Sequence, residues 1–529
     1  MIRIANIKAP LDFTPAYLRE AAAKRLSVGE RDLQSVRVLR KSLDARKRSS
    51  IHYVLTLGVE TMDEVQIVAK CGDSAIQLAP AYVPQELPVW ESPHAPVVVG
   101  SGPAGLFAAL TLARAGARPL VLERGDDVDL RQAAVERFWS GGELDPESNV
   151  QFGAGGAGTF SDGKLTTGIK DPFAGEVLRE LHRHGAPEDI LIDAKPHIGT
   201  DLLVEIVRGL RQRIESFGGR VLFRAKFVDF RIEQGQVSHG VYEHGGETVT
   251  VPTSHIILAT GHSARDVFAL LHGRGVTLAQ KPFSVGVRIE HKQALINRAL
   301  YGDMADSGLL PAADYKLAAR LPSGRGVYTF CMCPGGQVVA ASSEHGGITT
   351  NGMSYHARDG ENANSALLVD VKPTDFGSAH PLAGIDFQRE IEGRAYALSD
   401  SYRAPAATVG ELYAGRLSGV HSTVRPTYLP GTIPALPGVY LPSFVADSLC
   451  EGLSIFGKKL RGFDAPEAIL TGPETRSSSP VRILRGGDGC SLSHPGLYPA
   501  GEGAGYAGGI VSAAVDGMRA AYAALNRVR

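Results

Sequence analysis

Continuous apolar runs separated by helical periods dominate the region that follows residue 95 of this 529-residue chain. The run Val97 to Val99 is typical of a buried strand, and the apolar stretch Leu106 to Ala115 predicts a helix. A second apolar run, Leu120 to Leu122, comes next. The order strand, helix, strand indicates a parallel sheet with helices packed on its faces.

The patterns of apolar and polar residues before and after this region predict separate structural units. Residues 1–85 predict an α+β unit with strands near 2–7, 35–39 and 50–59 and a helix over 15–25. Five prolines between residues 79 and 96 exclude a regular element and predict a linker. Residues 275–475 mix short strands, at 284–290, 326–331 and 337–341, with loops and few periodic helices. The predicted units are 1–90, 91–275, 276–475 and 476–529.

Composition narrows the class of protein. Hydrophobic residues make up 43% and charged residues 21%, as in soluble globular proteins, and the net charge of −1 gives no overall attraction to nucleic acid or membranes. Five scattered cysteines do not suggest a disulfide framework, the N-terminus has no signal-like apolar core, and no apolar run has the roughly 18 residues of a membrane span. We therefore expect a cytoplasmic protein without a membrane span.

Three glycines after the first buried strand, Gly100, Gly102 and Gly105, have the spacing of a dinucleotide-binding turn. The first permits the tight turn, the second lets the backbone approach a pyrophosphate, and the third lets helix and strand pack closely. The free N–H groups of the helix N-terminus attract phosphate. Glu123, at the end of the next strand, is placed to accept hydrogen bonds from a ribose. Together these features predict a bound dinucleotide.

The remainder of this region favours a flavoprotein over a simple nicotinamide dehydrogenase. A helix over 201–217 is followed by a meander of three strands, at 220–232, 237–242 and 248–251, and by a buried strand that ends in Ala-Thr-Gly at 259–261. Near the C-terminus, a glycine-rich segment over 496–510 precedes a helix over 511–526. A last strand would bring this segment to the edge of the sheet that carries the first turn, so the two can hold opposite ends of a long ligand.

These anchor segments resemble the FAD-binding framework of glutathione-reductase-like flavoproteins. Four further segments, at 151–165, 261–266, 330–336 and 351–354, are similar to an uncharacterised bacterial family of FAD-dependent dehydrogenases, and the resemblance covers about residues 95 to 525. It implies tightly bound FAD, oxidoreductase activity and an α/β fold. That fold has a doubly wound, Rossmann-like FAD-binding sheet with a β-meander, an inserted α+β substrate domain and a small N-terminal α+β domain. The family pattern has Asp where this chain has Glu502, whose extra methylene still permits a contact with the ribityl chain or pyrophosphate.

The resemblance implies cofactor contacts in five segments. They are Gly100, Gly102, Pro103, Ala104, Gly105, Glu123 and Arg124 for the ADP half; the backbone of Val228 for the adenine; Gly155, Gly156, Gly158, Thr159 and Lys164 in a loop around the ring; Ala259, Thr260 and Gly261; and Gly501, Glu502, Gly509 and Ile510 for the ribityl chain and ring. The helix near Gly509 would direct its positive end at the flavin C2 carbonyl. The second glycine repeat, at 153–158, lacks a preceding apolar strand, so we interpret it as this flavin-contacting loop, with a surface loop as the alternative.

Lys164, His262 and Arg265 are the candidate catalytic residues. His262 could exchange a proton opposite flavin N5, because the reference pKa of histidine, about 6.5, permits both protonation states. Lys164 could place a positive charge near flavin N1, or it could pair with Asp162 at the surface. Arg265 follows His262 at the same strand end, near the cofactor.

Substrate contacts are predicted for Asn351, His356 and Arg358, a polar cluster suited to a carboxylate or carbonyl. Cys331 and Cys333 could form a thiol pair near the flavin. We favour the simpler interpretation, two small apolar residues on one face of a strand end. A metal site would need two further ligands that the cysteine spacing does not supply, so no metal is predicted.

The flavin-containing disulfide reductases carry a second nucleotide domain and a Cys-x-x-x-x-Cys motif in the first helix, and this helix has no cysteine. Electrons would therefore come from a transiently docked NAD(P)H, another reductant or the substrate. We predict a FAD-dependent oxidoreductase that transfers a hydride between flavin N5 and a small organic substrate, with a flavin monooxygenase as the alternative enzyme. An RNA-associated flavoprotein is a third hypothesis, because basic residues crowd 37–48. It is not favoured, since this basic run lacks interleaved aromatics and residues 1–90 carry only 13 basic against 10 acidic side chains.

Overall fold

A computed structural model describes residues 1–80, 85–419 and 422–527. Its N-terminal unit contains β1 (Ile2–Ala9), α1 (Pro15–Leu26), β2 (Leu33–Asp44), β3 (His52–Thr61), α2 (Glu64–Cys71) and β4 (Ile76–Leu78). The strands form one sheet in the order β2-β3-β1-β4. Residues 79–80 and 85–96 of the predicted linker contain no helix or strand, and its residues 81–84 lie outside the described ranges.

The next part of the chain forms a parallel sheet with a meander beside it. Its elements are β5 (Val97–Val99), α3 (Pro103–Arg114), β6 (Leu120–Leu122), α4 (Val128–Trp139), α5 (Pro172–Arg183), α6 (Asp189–Ile192), α7 (Thr200–Ser216), β7 (Arg220–Leu222), β8 (Ala225–Glu233), β9 (Gln236–His244), β10 (Glu247–Pro252), β11 (Ile256–Leu258) and α8 (Arg265–Gly273). The prediction of one strand over 220–232 is wrong. The chain turns at Arg224, with φ 51°, so that β7 joins the parallel sheet and β8 starts the meander.

The middle of the chain is built on a second, largely antiparallel sheet. Its elements are β12 (Leu278–Gln280), β13 (Phe283–Lys292), α9 (Gln293–Tyr301), β14 (Ala318–Arg320), β15 (Gly326–Cys333), β16 (Gln337–Ala340), β17 (Thr350–Met353), β18 (Asn362–Val371), α10 (Ala383–Ala397), β19 (Ala404–Thr408), α11 (Val409–Ala414), β20 (Thr432–Pro434), α12 (Ser443–Lys459), β21 (Ile469–Glu474) and β22 (Val481–Ile483). Seven of these strands form a sheet in the order β14-β15-β18-β13-β21-β19-β20.

The expectation of few strong helices in the middle of the chain is wrong, because α10 and α12 have 15 and 17 residues. The buried face of α10 includes Gln388 and Glu392, which interrupt the apolar stripe that sequence periodicity depends on.

The chain returns to the first sheet at its C-terminal end, through β23 (Leu497–Pro499) and α13 (Ile510–Arg527). β23 completes the five-stranded parallel sheet, in the order β23-β11-β5-β6-β7. Helix α13 packs on α3 so closely that a Cβ on Gly517 would lie 2.0 Å from the Ala104 carbonyl oxygen. This architecture confirms the predicted α/β fold. Within the described ranges, none of the helices is long and apolar enough to cross a bilayer.

Candidate cofactor and active site

A cavity of about 360 Å³ runs along the carboxyl ends of β5, β11 and β23. These ends present residues 99–104, 259–264 and 500–502 on one side, and the loop over 151–164 closes the other. Carboxyl ends of parallel strands are where ligands bind in open α/β sheets. The middle of the chain supplies the remaining wall, through residues 330–331, Asn351 and residues 474–477.

The glycine turn at one end of the cavity has no space for side chains. Gly100 has φ 97°, and a Cβ there would lie 2.4 Å from the Ala259 carbonyl oxygen. A Cβ on Gly105 would lie 1.9 Å from the Gly100 carbonyl oxygen. The backbones of Gly102 and Gly156 approach across the cavity, since a Cβ on Gly156 would lie 3.0 Å from the Gly102 Cα. This bare backbone at the start of α3 fits a pyrophosphate.

Glu123 is buried and holds the turn against the neighbouring loop. Its Oε2 accepts hydrogen bonds from the Ser101 amide at 2.9 Å and the Ser101 hydroxyl at 2.7 Å. Its Oε1 accepts from the amides of Gly125 at 2.9 Å and Gly153 at 3.0 Å. Four protein donors therefore engage this carboxylate, and its contact with a ribose stays a prediction.

Arg124 lines the cavity with its guanidinium 4.2 Å from the centroid of the Phe152 ring. Its Nε donates to Glu147 at 2.6 Å, and its Nη1 donates to Asp266 at 2.9 Å. These ion pairs fix the side chain and hold the pKa values of Glu147 and Asp266 below their usual range, against the effect of burial. The result is a flat, cationic surface at the end of the cavity next to the meander.

Val228, predicted for the adenine, is the extra residue of a β-bulge between Phe227 and Asp229. The cavity wall nearby is formed by residues 225–227 rather than by Val228 itself. The unpaired position leaves this backbone outside the regular ladder.

The start of α13 lies beside the start of α3, because a Cβ on Gly158 would lie 3.4 Å from Ile510 and 3.8 Å from Pro103. Two titratable side chains border this part of the cavity. Residues 508–510 line it, so the positive end of the helix dipole faces the cavity. Burial raises the pKa of Glu502 to about 7. Burial, with the charges of Arg476 and Arg265, lowers the pKa of His262 to about 3, and its Nε2 lies 4.0 Å from Glu502 Oε1. The prediction that His262 uses both protonation states is therefore corrected: the imidazole is neutral at neutral pH.

Lys164 lines the cavity and donates from Nζ to Asp162 at 2.9 Å and to the Met332 carbonyl oxygen. Asp162 is fully buried and also accepts from Arg358 Nε at 3.0 Å. The two cations keep the pKa of Asp162 well below its usual range although burial opposes them. The predicted pair of Lys164 with Asp162 forms, but in the interior and not at the surface.

Arg265 does not line this cavity. Its guanidinium binds Glu392 at 2.8 and 2.9 Å and also contacts Glu344, and it borders a neighbouring cavity. The charge of Arg265 is therefore engaged in a cluster of ion pairs that joins α8 to α10.

Arg288 and Glu474 are the site residues that the sequence analysis missed. Arg288 is fully buried on β13, and its Nη2 lies 3.0 Å from Oε1 of Glu474, which lines the cavity. Burial raises the pKa of Glu474 to about 7 despite this pair. The available signal was an arginine inside the apolar stretch 285–289 of β13. Arginine is almost never fully buried unless it is paired, so a partner was to be expected.

The predicted substrate cluster does not form as a unit. Asn351 lines the cavity, but His356 stacks on His197 at 5.2 Å between ring centroids, and Arg358 binds Asp162. Cys331 also lines the cavity, whereas Cys333 is fully buried.

The expectation that Cys331 and Cys333 lie on one face of a regular strand end is wrong. β15 has a register shift between Phe330 and Cys333, and Cys331 has φ 42°, so regular alternation is lost.

Most of the predicted cofactor contacts border the same cavity. The residues that line it are Gly100, Gly102, Pro103, Ala104, Glu123, Arg124, Gly156, Gly158, Lys164, Ala259, Thr260, Gly261, Gly501, Glu502, Gly509 and Ile510. Gly105, Gly155 and Thr159 are not among the residues that line it.

Models of three protein families match the chain. Residues 94–300 match the pyridine nucleotide-disulphide oxidoreductase model, and residues 282–477 match the C-terminal domain-like model of FAD-dependent proteins. Residues 1–60 match a domain of unknown function. A protein of Clostridium beijerinckii, described as uncharacterized, is 45% identical over 524 residues, which are 98% of each chain.

Solved structures show weaker similarity. A triple mutant of the flavin-dependent brominase Bmp2 covers 82% of this chain and 80% of its own, with 13% identity and a TM-score of 0.38. The 3-ketosteroid-delta4-(5alpha)-dehydrogenase of Rhodococcus jostii RHA1 covers 83% and 97%, with 15% identity and a TM-score of 0.35.

Proposed function

We propose that this chain, a FAD-dependent oxidoreductase of the same family as the Clostridium beijerinckii protein, transfers a hydride between flavin N5 and a small organic substrate. The observation that supports this proposal is a single cavity bordered by two helix N-termini and by titratable side chains of a second sheet. The glycine turn at 100–105 suits the pyrophosphate and the start of α13 suits the ring, as expected for an extended dinucleotide.

Bound FAD supplies a two-electron acceptor that takes up a hydride at N5. The protein provides binding, orientation and electrostatics. Backbone N–H groups at the start of α3 would bind the phosphates, and the start of α13 would stabilise negative charge on the reduced ring. Lys164 adds a positive charge at the cavity wall, and its position is fixed by Asp162 and the Met332 carbonyl.

Proton transfer must accompany hydride transfer for most organic substrates, and Glu502 is suited to it. Its pKa of about 7 means that both protonation states are populated at neutral pH. The Nε2 of His262 lies 4.0 Å from Glu502 Oε1, and the low pKa of this imidazole means that it adds no positive charge that would lower the pKa of Glu502. We therefore assign the substrate proton to a carboxyl oxygen of Glu502.

The decisive experiment is anaerobic reduction of the FAD-loaded protein by NADH, NADPH and a panel of alcohols, amines, hydroxy acids and thiols. We expect the yellow absorbance to bleach with at least one reductant and return when an acceptor is added. A colourless protein that refuses added FAD while remaining folded would contradict the proposal. Oxygen atoms from O₂ in the product would favour the monooxygenase alternative instead.

A further inference from the structure

The segment from Phe330 to Cys333 has an irregular backbone next to the ring end of the cavity. Cys331 adopts φ 42°, a left-handed conformation that is rare for a residue with a side chain. The β-bulge there turns the segment out of the regular ladder between β15 and β18. Such conformations persist only where the surrounding contacts impose them, and they concentrate at functional sites.

Two cations hold this segment by its carbonyl groups. Arg288 Nη1 donates to the Cys331 carbonyl oxygen at 3.0 Å, and Lys164 Nζ donates to the Met332 carbonyl oxygen. Arg288 Nη1 also lies 4.0 Å from the sulfur of Cys333. Both sulfurs therefore lie in a positive electrostatic environment, which favours a thiolate.

The two thiols differ in environment although they are two residues apart. Cys331 lines the cavity, and Cys333 is fully buried with its sulfur 3.2 Å from the Cys331 carbonyl oxygen. The neighbouring Cys333 thiol, with the charges of Lys164 and Arg288, lowers the pKa of Cys331 below its usual value, and the pKa of Cys333 is raised well above its usual value. Cys331, in the cavity wall, is therefore the more acidic thiol of the two.

We propose that Cys331 and Cys333 are a redox-active thiol pair that exchanges electrons with FAD in this cavity, and that the physiological partner is a thiol or disulfide compound. The inference rests on the proposed function, since FAD is the oxidant. Its geometric basis is the placement of Cys331 in the cavity wall and of the Cys333 sulfur 3.2 Å from the Cys331 carbonyl oxygen, on a segment held by Arg288 and Lys164.

The step balances without another reagent. The Cys331 thiolate and the Cys333 thiol lose two electrons and one proton as one S–S bond forms, and FAD gains the same two electrons and proton on becoming FADH⁻. When electrons flow from the flavin to a disulfide substrate, the Cys331 thiolate would cleave the substrate and release one thiol, and Cys333 would release the second thiol as the internal disulfide forms. The reduced flavin would then return two electrons and one proton to that disulfide and regenerate the thiolate and the thiol. A disulfide between residues two apart is strained, which makes it a ready electron acceptor.

Mass spectrometry of one tryptic peptide tests the pair directly. Cleavage after Arg325 and Arg358 releases residues 326–358, which contain Cys331 and Cys333 and no other cysteine. The FAD-loaded full-length protein is incubated with oxidised glutathione or with dithiothreitol, then unfolded in excess iodoacetamide. We expect two alkyl groups on the peptide after dithiothreitol, and none after oxidation, when the peptide is lighter by two hydrogens. Two alkyl groups, a glutathione adduct or a sulfur oxyacid after oxidation would overturn the proposal.

Anaerobic titration with dithionite gives a second readout. The oxidised wild-type protein should consume four electron equivalents per FAD, and Cys331→Ser and Cys333→Ser should each consume two. Cys450→Ser is the matched control and should still consume four, since Cys450 lies outside the cavity and burial raises its pKa. A colourless protein would contradict the proposed function. A yellow wild-type protein that consumes only two electron equivalents would contradict the thiol-pair proposal and leave the proposed function intact.

Discussion

Arg265 and Glu392 form a buried two-point ion pair, with Arg265 Nη2 2.8 Å from Oε1 and Nη1 2.9 Å from Oε2 of the glutamate. Arg476 donates to the same carboxylate, at 3.0 Å from Nε and 2.9 Å from Nη2. These two arginines keep the pKa of Glu392 well below its usual range, against the effect of burial. Glu392 on α10 therefore connects the middle of the chain to α8 of the nucleotide-binding part.

Replacing Arg265 distinguishes a structural role from the catalytic role that the sequence suggested. Arg265→Met removes one of the two arginines paired with Glu392 and leaves Arg476 and the Thr475 hydroxyl as its partners. We expect a loss of about 3 kcal/mol in the free energy of unfolding, as for other broken buried pairs. FAD content should stay near that of the wild type. Urea unfolding measures the first quantity and visible absorbance the second. Arg394→Met breaks the exposed pair with Glu390 and should change stability by no more than about 0.5 kcal/mol. Unchanged stability with abolished flavin reduction would restore the catalytic assignment.

From the packing of the glycine turn we expect two alanine substitutions, both at glycines with positive φ, to differ in their effect on FAD affinity. Gly100→Ala places a Cβ 2.4 Å from the Ala259 carbonyl oxygen, so the turn must move, and we expect FAD to bind about a hundredfold more weakly. Gly116 has φ 80° with nothing within 4 Å of an added Cβ. Gly116→Ala should cost stability of about 1 kcal/mol without affecting FAD. Titration of both variants with FAD measures their affinities. Equal affinities would show that the close packing of Gly100 against Ala259 is not required for FAD binding.

The sequence predicted the cofactor framework well because each of its signals is local. A glycine at position 100, an apolar strand before it and a helix after it lie within twenty residues, and backbone geometry alone fixes what they form. The return of the segment at 501–510 could also be predicted, since a parallel strand must end at the same edge.

The wall contributed by the middle of the chain could not be predicted in the same way. Arg288 and Glu474 are 186 residues apart and meet only because β13 and β21 are neighbours in the sheet. The sequence predicted a substrate contact for Arg358 and a catalytic role for Arg265. In the structure Arg358 pairs with the buried carboxylate of Asp162, and Arg265 pairs with that of Glu392. Partners of this kind depend on long-range strand order, which local periodicity does not encode.

The raised pKa of Glu502 predicts a pH dependence of flavin reduction. If Glu502 carries the substrate proton, kcat/KM for the reduction of FAD should change with an inflection near pH 7 in the wild type. Glu502→Gln keeps the size of the side chain, removes the titration and should abolish that inflection while lowering the rate by about 10²-fold or more. Stopped-flow reduction between pH 5 and 9 measures both proteins. If Glu502→Gln shows the same inflection, the inflection belongs to another group. Retention of bound FAD shows that the variant is folded.

His291 provides a pH test of stability that is independent of the cofactor. Its Nε2 lies 2.7 Å from the Phe463 carbonyl oxygen in the core, and burial lowers its pKa to about 4. An unfolded histidine has a pKa of about 6.5, so the folded state loses stability as the pH falls from 6.5 towards 4, by about 3 kcal/mol. His291→Gln can still donate to Phe463 but does not titrate. Its unfolding free energy should therefore gain about 3 kcal/mol relative to the wild type between pH 7 and pH 4, as measured by urea unfolding at each pH. A pH-independent difference between His291→Gln and the wild type would mean that folding does not lower the pKa of this ring.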